Sequence, residues 1–183
     1  MDDDARSYRR FLEGDEKAFD EIMGSLFRPL VFFVDRFVHD VHTAEDIAID
    51  AFSELIVHRH RYNFKVTLKT YLFMLGRSRA LDCLRHRRVI DFEEYSEGTA
   101  APEDEKSLEE TVITNERGRI INEALKKLPS EMSQALHLIY FENMSYEEAA
   151  KVMKKSRKQI DNLLYRAKNS LKNILGEEGK ELI

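Results

Sequence analysis

Ala18, Ile22, Leu26, Leu30, Val34 and Val38 recur every fourth residue, which predicts one apolar stripe along a helix. Pro29 lies inside this run and, lacking a backbone donor, marks a candidate kink. A second helix is expected to start at Thr43, whose hydroxyl would cap it while Asp46 closes a capping box. Ile47, Ala51, Phe52, Leu55 and Ile56 give that helix a core face and leave Asp46, Asp50, Ser53 and Glu54 outside. A third helix is expected from about Leu68 to Arg87, with Leu68, Leu72, Leu75, Leu81 and Leu84 inward. The pattern then breaks. Gly98, Pro102 and a run of carboxylates, with few large apolar residues, cannot bury enough surface to fold alone and read as a linker. Beyond it Val112, Ile113, Ile120, Ile121, Ala124, Leu125 and Leu128 suit a helix stopping at Pro129. Ser130 is expected to cap the next helix, with Ala135, Leu136, Ile139 and Tyr140 buried. Two capping boxes follow, Ser145 to Glu148 and Ser156 to Gln159, flanking a short helix with Ala149, Ala150, Val152 and Met153 apolar. After the second box Ile160, Leu163, Leu164, Ala167, Leu171 and Ile174 form a single seam. The expected fold is all-α. Two small helical domains, 1–90 and 113–177, are joined by a flexible acidic linker, 91–112, and followed by a charged tail, 178–183.

Composition supports helices, since 183 residues include only 7 Gly and 3 Pro. The start, Met1-Asp2-Asp3-Asp4, is acidic where a secretory signal would be basic and then apolar. Runs such as Leu30 to Val34 are too short to span a bilayer, so a cytoplasmic location is expected. The single cysteine, Cys83, has no intramolecular partner and reads as a small core or boundary residue between Leu81 and Leu84. The net charge of −5 hides strong segregation. Residues 58–90 carry nine Lys or Arg against one carboxylate, whereas 1–57 and 91–118 are each strongly acidic. Screening limits the reach of the acidic blocks to roughly 10 Å, so the basic block keeps its own field.

Two capped helices joined by a short turn at Lys154-Lys155 form a helix-turn-helix pattern, whose second helix enters the major groove. The seam leaves Arg157, Lys158, Asp161, Asn162, Tyr165, Lys168, Asn169 and Lys172 outside. Arg suits guanine edges and Asn or Gln adenine edges, while Lys and Arg further along suit phosphates. An ordinary three-helix unit with a solvated basic face is the bland alternative. In the basic block, Tyr62, Phe64, Tyr71 and Phe73 lie among arginines and lysines, a mixture that suits unpaired bases and their backbone. Phe73 and Leu72 read as core; for Tyr62, Phe64 and Tyr71 core and base stacking are evenly matched. Enzyme chemistry has no support, because neither a Gly-rich phosphate loop nor a nucleophile elbow is present. His39, His42, His58 and His60 lack a Cys partner at zinc spacing, so neither metal nor cofactor is expected.

Together these segments resemble the extracytoplasmic-function (ECF, group IV) sigma factors of bacterial RNA polymerase, in the sigma-seventy superfamily. The resemblance runs from about Gly14 to Leu175 and rests on an ordered set of segments. Gly14 to Phe19 looks like the start of the family's region two, and Ala44 to Phe52 like the helix that docks on the clamp of the largest polymerase subunit. Tyr71-Leu72 with Arg77 to Asp82 matches the helix that melts and reads the minus-ten element. Leu128-Pro129, Tyr140 to Ala150 and Leu164 to Ala167 are similar to region four, which reads the minus-thirty-five element. The family usually has Gln, Trp and Asn where this chain has Ile49, Tyr71 and Ser78, and a Gly-plus-aliphatic turn at Lys154-Lys155.

The resemblance implies an alternative sigma factor acting without catalysis or a small-molecule substrate. Core polymerase would be met by Asp46, Ile49, Asp50, Ser53 and Glu54. Minus-ten DNA would be met by Arg61, Tyr62, Asn63, Phe64, Lys65, Lys69, Tyr71, Arg77, Ser78 and Arg85. Minus-thirty-five DNA would be met by Ser156, Arg157, Lys158, Gln159, Asn162, Arg166 and Lys168. The implied partners are the clamp of the largest polymerase subunit, the flap of the second, promoter DNA and an anti-sigma factor, which would hold the chain at the membrane. The rivals are a helix-turn-helix regulator that binds duplex operators without polymerase, and a helical interaction protein that binds no DNA.

Overall fold

The computed structural model describes residues 3–95 and 123–176, and every regular element among them is helical. The chain divides into two compact units, Met1–Lys106 and Ser107–Ile183. Val112, Ile113, Ile120, Ile121, the linker from 96 to 112 and the tail lie outside the described residues.

The first unit is built on α2, Lys17–Val38, against which α1 (Asp3–Leu12), α3 (Val41–Val57) and α4 (Leu68–Tyr95) all pack. The expected stripe of Ala18, Ile22, Leu26, Leu30, Val34 and Val38 is buried, and α2 runs through Pro29 without a break. Every residue from Leu30 to Val38 except Phe32 is buried on this half of α2, where α4 reaches Leu30, Val34 and Val38. Gly76 lets α4 approach there: a Cβ at that position would stand 2.8 Å from Leu30 Cδ1 and 3.2 Å from Val34 Cγ2. On α4, Leu68, Leu72, Phe73 and Ala80 are buried, whereas Leu75, Leu81 and Leu84 are half-buried.

Three boundaries differ from expectation. First, α1 was not expected at all. Its apolar positions, Ala5, Tyr8 and Phe11, form a narrow stripe, and carboxylates in its first turn and arginines in its last suit the helix dipole. Tyr8 is 0% exposed, and its hydroxyl shares one proton between the carbonyls of Leu55 and Arg59, each 3.0 Å away. Burial, then Tyr71, pushes its pKa up to about 12. Second, α4 continues to Tyr95, past Arg87 and five residues into the segment read as linker, since no Gly or Pro interrupts it before Gly98.

Third, α3 begins at Val41 and is capped by Asp40, not by Thr43 with Asp46. The Asp40 carboxylate accepts from the backbone N–H of His42 at 3.0 Å and of Thr43 at 3.4 Å. The Thr43 hydroxyl donates to Asp40 and accepts from Arg87 at 2.8 Å, and Arg87 also lies 3.5 Å from Asp40. The Thr43 hydroxyl first, with backbone N–H groups and Arg87 also outweighing burial, holds the Asp40 carboxyl below its ordinary pKa. Its folded pKa is therefore depressed, so the stabilisation is present above the ordinary carboxylate range and is lost as pH falls through it. Asp40→Ala is expected to cost about 1–2 kcal/mol at neutral pH and much less near pH 3, read from chemical denaturation at both pH values.

The second unit begins, among the described residues, with a helical stretch at 123–126. It continues with α5 (Ser130–Leu136), a π turn (His137–Phe141), α6 (Tyr146–Met153) and α7 (Arg157–Leu175). Helices α5 and α6 pack on the seam of α7, where Ile160, Leu164, Ala167 and Leu171 are buried, Leu163 is half-buried and Ile174 is exposed. Pro129, not Ser130, holds the cap position of α5, and the Ser130 hydroxyl instead accepts from Gln134 at 2.8 Å. Tyr140, expected in the core, is half exposed. The π turn winds the chain wider, with the Glu142 N–H reaching the His137 carbonyl at 3.0 Å. That extra residue carries Tyr140 and Phe141 outward while Leu138 stays buried.

Candidate nucleic-acid interface

Both capping boxes in the second unit are complete. Ser145 Oγ accepts from the Glu148 N–H at 3.2 Å, and the Glu148 carboxylate accepts from the Ser145 N–H at 2.9 Å. Ser156 Oγ accepts from the Gln159 N–H at 3.2 Å, and Gln159 Oε1 accepts from the Ser156 N–H at 2.7 Å. These bonds define where α6 and α7 start, so the turn between them is fixed by local chemistry. Lys154 closes α6 at φ 53°, a left-handed conformation that glycine adopts more easily.

Ser156, Arg157, Lys158, Gln159, Asn162, Arg166 and Lys168 are all exposed on α7 or its cap. Ser156 and Gln159 use part of their hydrogen-bonding capacity on each other, which leaves the Gln159 amide donors for a base. Arg157 Nε lies 3.2 Å from Glu147, and Lys155 folds back onto Glu131 at 2.8 Å. Of the two turn lysines, only Lys154 is exposed. Tyr165 stands 70% exposed on the outward side of α7.

In the first unit, Asn63, Lys65, Ser78, Arg61 and Arg85 are exposed, and Phe64, Lys69, Tyr71 and Arg77 are half-buried. Tyr62 corrects the sequence reading. It is 3% exposed, its hydroxyl donates to the Val66 carbonyl at 2.8 Å, and its ring contacts those of Tyr8, Phe64 and Tyr71 at 5.5, 4.6 and 5.2 Å. It anchors the loop and offers no face to a base. Phe64, at φ 60°, lies beneath the Arg9 guanidinium at 4.8 Å. Asn63 Oδ1 accepts from the Lys65 N–H at 3.1 Å, which tightens the same loop. Burial, then Glu54, raises the pKa of the half-buried Tyr71.

On α3, Asp46, Ile49, Asp50 and Ser53 form an exposed face, with Ile49 half exposed and Ile56 and Val57 also outside. Glu54 does not belong to it. Its side chain is 16% exposed and is paired with Arg61 and, at 2.9 Å, with Arg79, which also lies 3.8 Å from Asp50. A carboxylate that bridges two arginines between α3 and α4 orders those arginines beside Tyr71. The spacing signal placed Glu54 outside because it could not see Arg79 across the helix pair. Arg85 is paired with Asp82 at 2.6 Å, and Arg87 also donates to the Val38 carbonyl at 3.3 Å. Among the described residues no three His, Cys, Asp or Glu side chains gather as a metal-ligand set, and no helix is long and apolar enough to cross a membrane.

Two family models match the chain, Sigma-70 region 2 over residues 22–89 and Sigma-70, region 4 over residues 118–171. This chain belongs to the sigma-70 family, in its extracytoplasmic-function group. The RNA polymerase sigma-H factor of Pseudomonas aeruginosa is 28% identical over 185 residues, covering 96% of this chain and 95% of its own. The ECF RNA polymerase sigma factor SigM of Bacillus subtilis is 26% identical over 156 residues, covering 85% and 93%. Solved structures share the fold. The sigma factor RpoE with the anti-sigma factor NepR from Bartonella quintana superposes with a TM-score of 0.67 at 21% identity, covering 87% of this chain and 97% of that one. CnrH with the cytosolic domain of CnrY gives 0.68 at 20% identity, covering 95% and 97%. Helix α1 lies before the matched region two, yet Tyr8 ties it to the core.

Proposed function

We propose that this chain is an alternative sigma factor that binds core RNA polymerase and directs promoter-specific initiation without catalysing a reaction itself. The observation that carries it is the joint presence of a matched region two and a matched region four, the latter bearing a fully capped helix-turn-helix with its cationic face outward. Asp46, Ile49, Asp50 and Ser53 form the surface offered to the clamp of the largest subunit, and the second unit meets the flap of the second. Phe64 and Tyr71, both half-buried, face the melted minus-ten strand, and Arg61, Asn63, Lys65, Lys69, Arg77, Ser78 and Arg85 meet it along the same loop and helix. Extracting bases costs a few kcal/mol each, and aromatic faces flanked by cations offset part of that cost. Arg157, Lys158, Gln159, Asn162 and Arg166 face the minus-thirty-five duplex. The chain works in the cytoplasm, and an anti-sigma factor is the partner expected to silence it, because one of the solved structures similar to it is a complex with the anti-sigma factor NepR.

Run-off transcription with purified core polymerase on genomic promoter fragments tests this directly. Adding the chain is expected to produce discrete transcripts that core alone does not make. A chain that never joins core, or joins it without changing start sites, rules the proposal out.

A further inference from the structure

Helix α1 carries three arginines, and two of them are neutralised on the helix or beside it. Arg6 is paired with Asp3, and Arg10 lies 2.6 Å from Asp15 and 3.0 Å from Glu21. Arg9 is exposed and has no carboxylate partner among the described residues. Its guanidinium lies instead over the Phe64 ring, 4.8 Å from the centroid. The contact is answered from the other segment, because Arg59, just past α3, lies over the Phe11 ring of α1 at 4.8 Å. Tyr8 completes the fastening: its hydroxyl donates to the carbonyls of Leu55 and Arg59, and its ring lies 6.2 Å from that of Phe64. Buried Tyr62 packs against the Phe64 ring at 4.6 Å, so exposed Arg9 is the solvent-side layer of the stack. Phe64 holds its place at φ 60°, a strained state for an L residue and one that clusters at ligand clamps.

We propose that α1 is part of the site for the unpaired strand, with Arg9 as the outer layer on which an extruded base stacks and Phe64 as the support behind it. This rests on the strand-binding reading given above and extends it to a helix that lies before the residues matched to region two. A guanidinium is planar, weakly hydrated and stacks on flat rings, so one side of Arg9 can stay on Phe64 while the other takes a base. A base seeking the covered Phe64 face directly has to displace Arg9 first; the layered stack spares it that step. With no carboxylate to satisfy, the Arg9 charge also draws the phosphate next to that base. Arg61, in the same loop as Phe64, is by contrast already engaged by Glu54.

The test is fluorescence anisotropy of the full chain at low salt, with thermal unfolding as a check on folding. Three labelled probes of about 20 nucleotides are compared: a single DNA strand of mixed sequence, the matching duplex, and an abasic strand. Arg9→Ala is expected to weaken single-strand binding roughly threefold to thirtyfold, the worth of one cation stacked on a base, and to leave duplex binding unchanged. Arg9→Lys keeps the charge without the plane. It is expected to bind the abasic strand as the parent does, yet to recover less than half of the binding energy lost on the base-bearing strand. With Phe64→Leu already in place, Arg9→Ala is expected to add little. The site is refuted if Arg9→Ala holds the single strand as well as the parent or better, if duplex affinity falls equally, or if lysine restores full affinity. A parent chain with no hold on the single strand refutes it too. Polymerase association, measured on the same proteins, separates the two ideas. A selective single-strand loss in a chain that never joins core keeps the Arg9 site and removes the sigma-factor function; a chain that joins core while Arg9→Ala loses nothing does the reverse.

Discussion

Gly76→Leu is expected to destabilise the first unit by about 3 kcal/mol, the upper end of what overpacking a well-filled core costs. A Cβ there already meets Leu30 Cδ1 at 2.8 Å and Val34 Cγ2 at 3.2 Å, and both partners are fully buried on the most enclosed stretch of the central helix. Three more carbons have nowhere to go without pushing α4 off α2. Gly76→Ala should behave differently. The contacting Leu30 methyl is the end of a side chain that can turn away, and replacing glycine inside a helix returns up to ~1 kcal/mol of helix propensity. Alanine is therefore expected to fall within about 1 kcal/mol of the parent. Chemical denaturation of both variants decides it. If leucine unfolds at the same denaturant concentration as alanine, the two helices do not approach as closely as described.

The other large effect is expected on α7. Arg157→Glu with Lys158→Glu should lower duplex affinity roughly 10²- to 10⁴-fold, since each lost cation contact is worth about 1–3 kcal/mol and each new carboxylate repels phosphate. Stability should barely move. Acidic residues in the first turn of a helix are favoured by its dipole, which offsets the loss of the Arg157 pairing with Glu147. A thermal midpoint close to that of the parent, together with transcripts that no longer depend on the upstream element, is the expected result. If affinity is kept while the fold is intact, α7 does not read the duplex.

What could be read in the sequence was what local spacing determines. The fourfold repeat from Ala18 to Val38, the seam of α7 and both capping boxes depend on residues within one or two turns of each other, and all of them stand as expected apart from the outward end of the seam at Ile174. Where a distant partner decides, spacing was silent. Asp40 and Thr43 are both competent caps, and Asp40 prevails in a cluster completed by Arg87, 47 residues away. Tyr62 stood evenly between core and stacking because Tyr8, on a helix with only three buried positions, supplies the packing that buries it. Glu54 shares the polar side of α3 with Asp50 in projection, but Arg79 draws it inward. Tyr140 follows a helical period until the π turn adds a residue.

The pairing of Arg61 and Arg79 with Glu54, of Arg85 with Asp82 and of Arg87 with Asp40 also changes how the charge of the chain should be understood. At least four of the nine cations in residues 58–90 already have a counter-ion inside the fold. The attraction this protein exerts on a passing polyanion is therefore far weaker than a count of its arginines suggests. Its acidic residues act as built-in competitors for the ligand, and loose adhesion to nucleic acid at large is held down by the same side chains that hold the helices together.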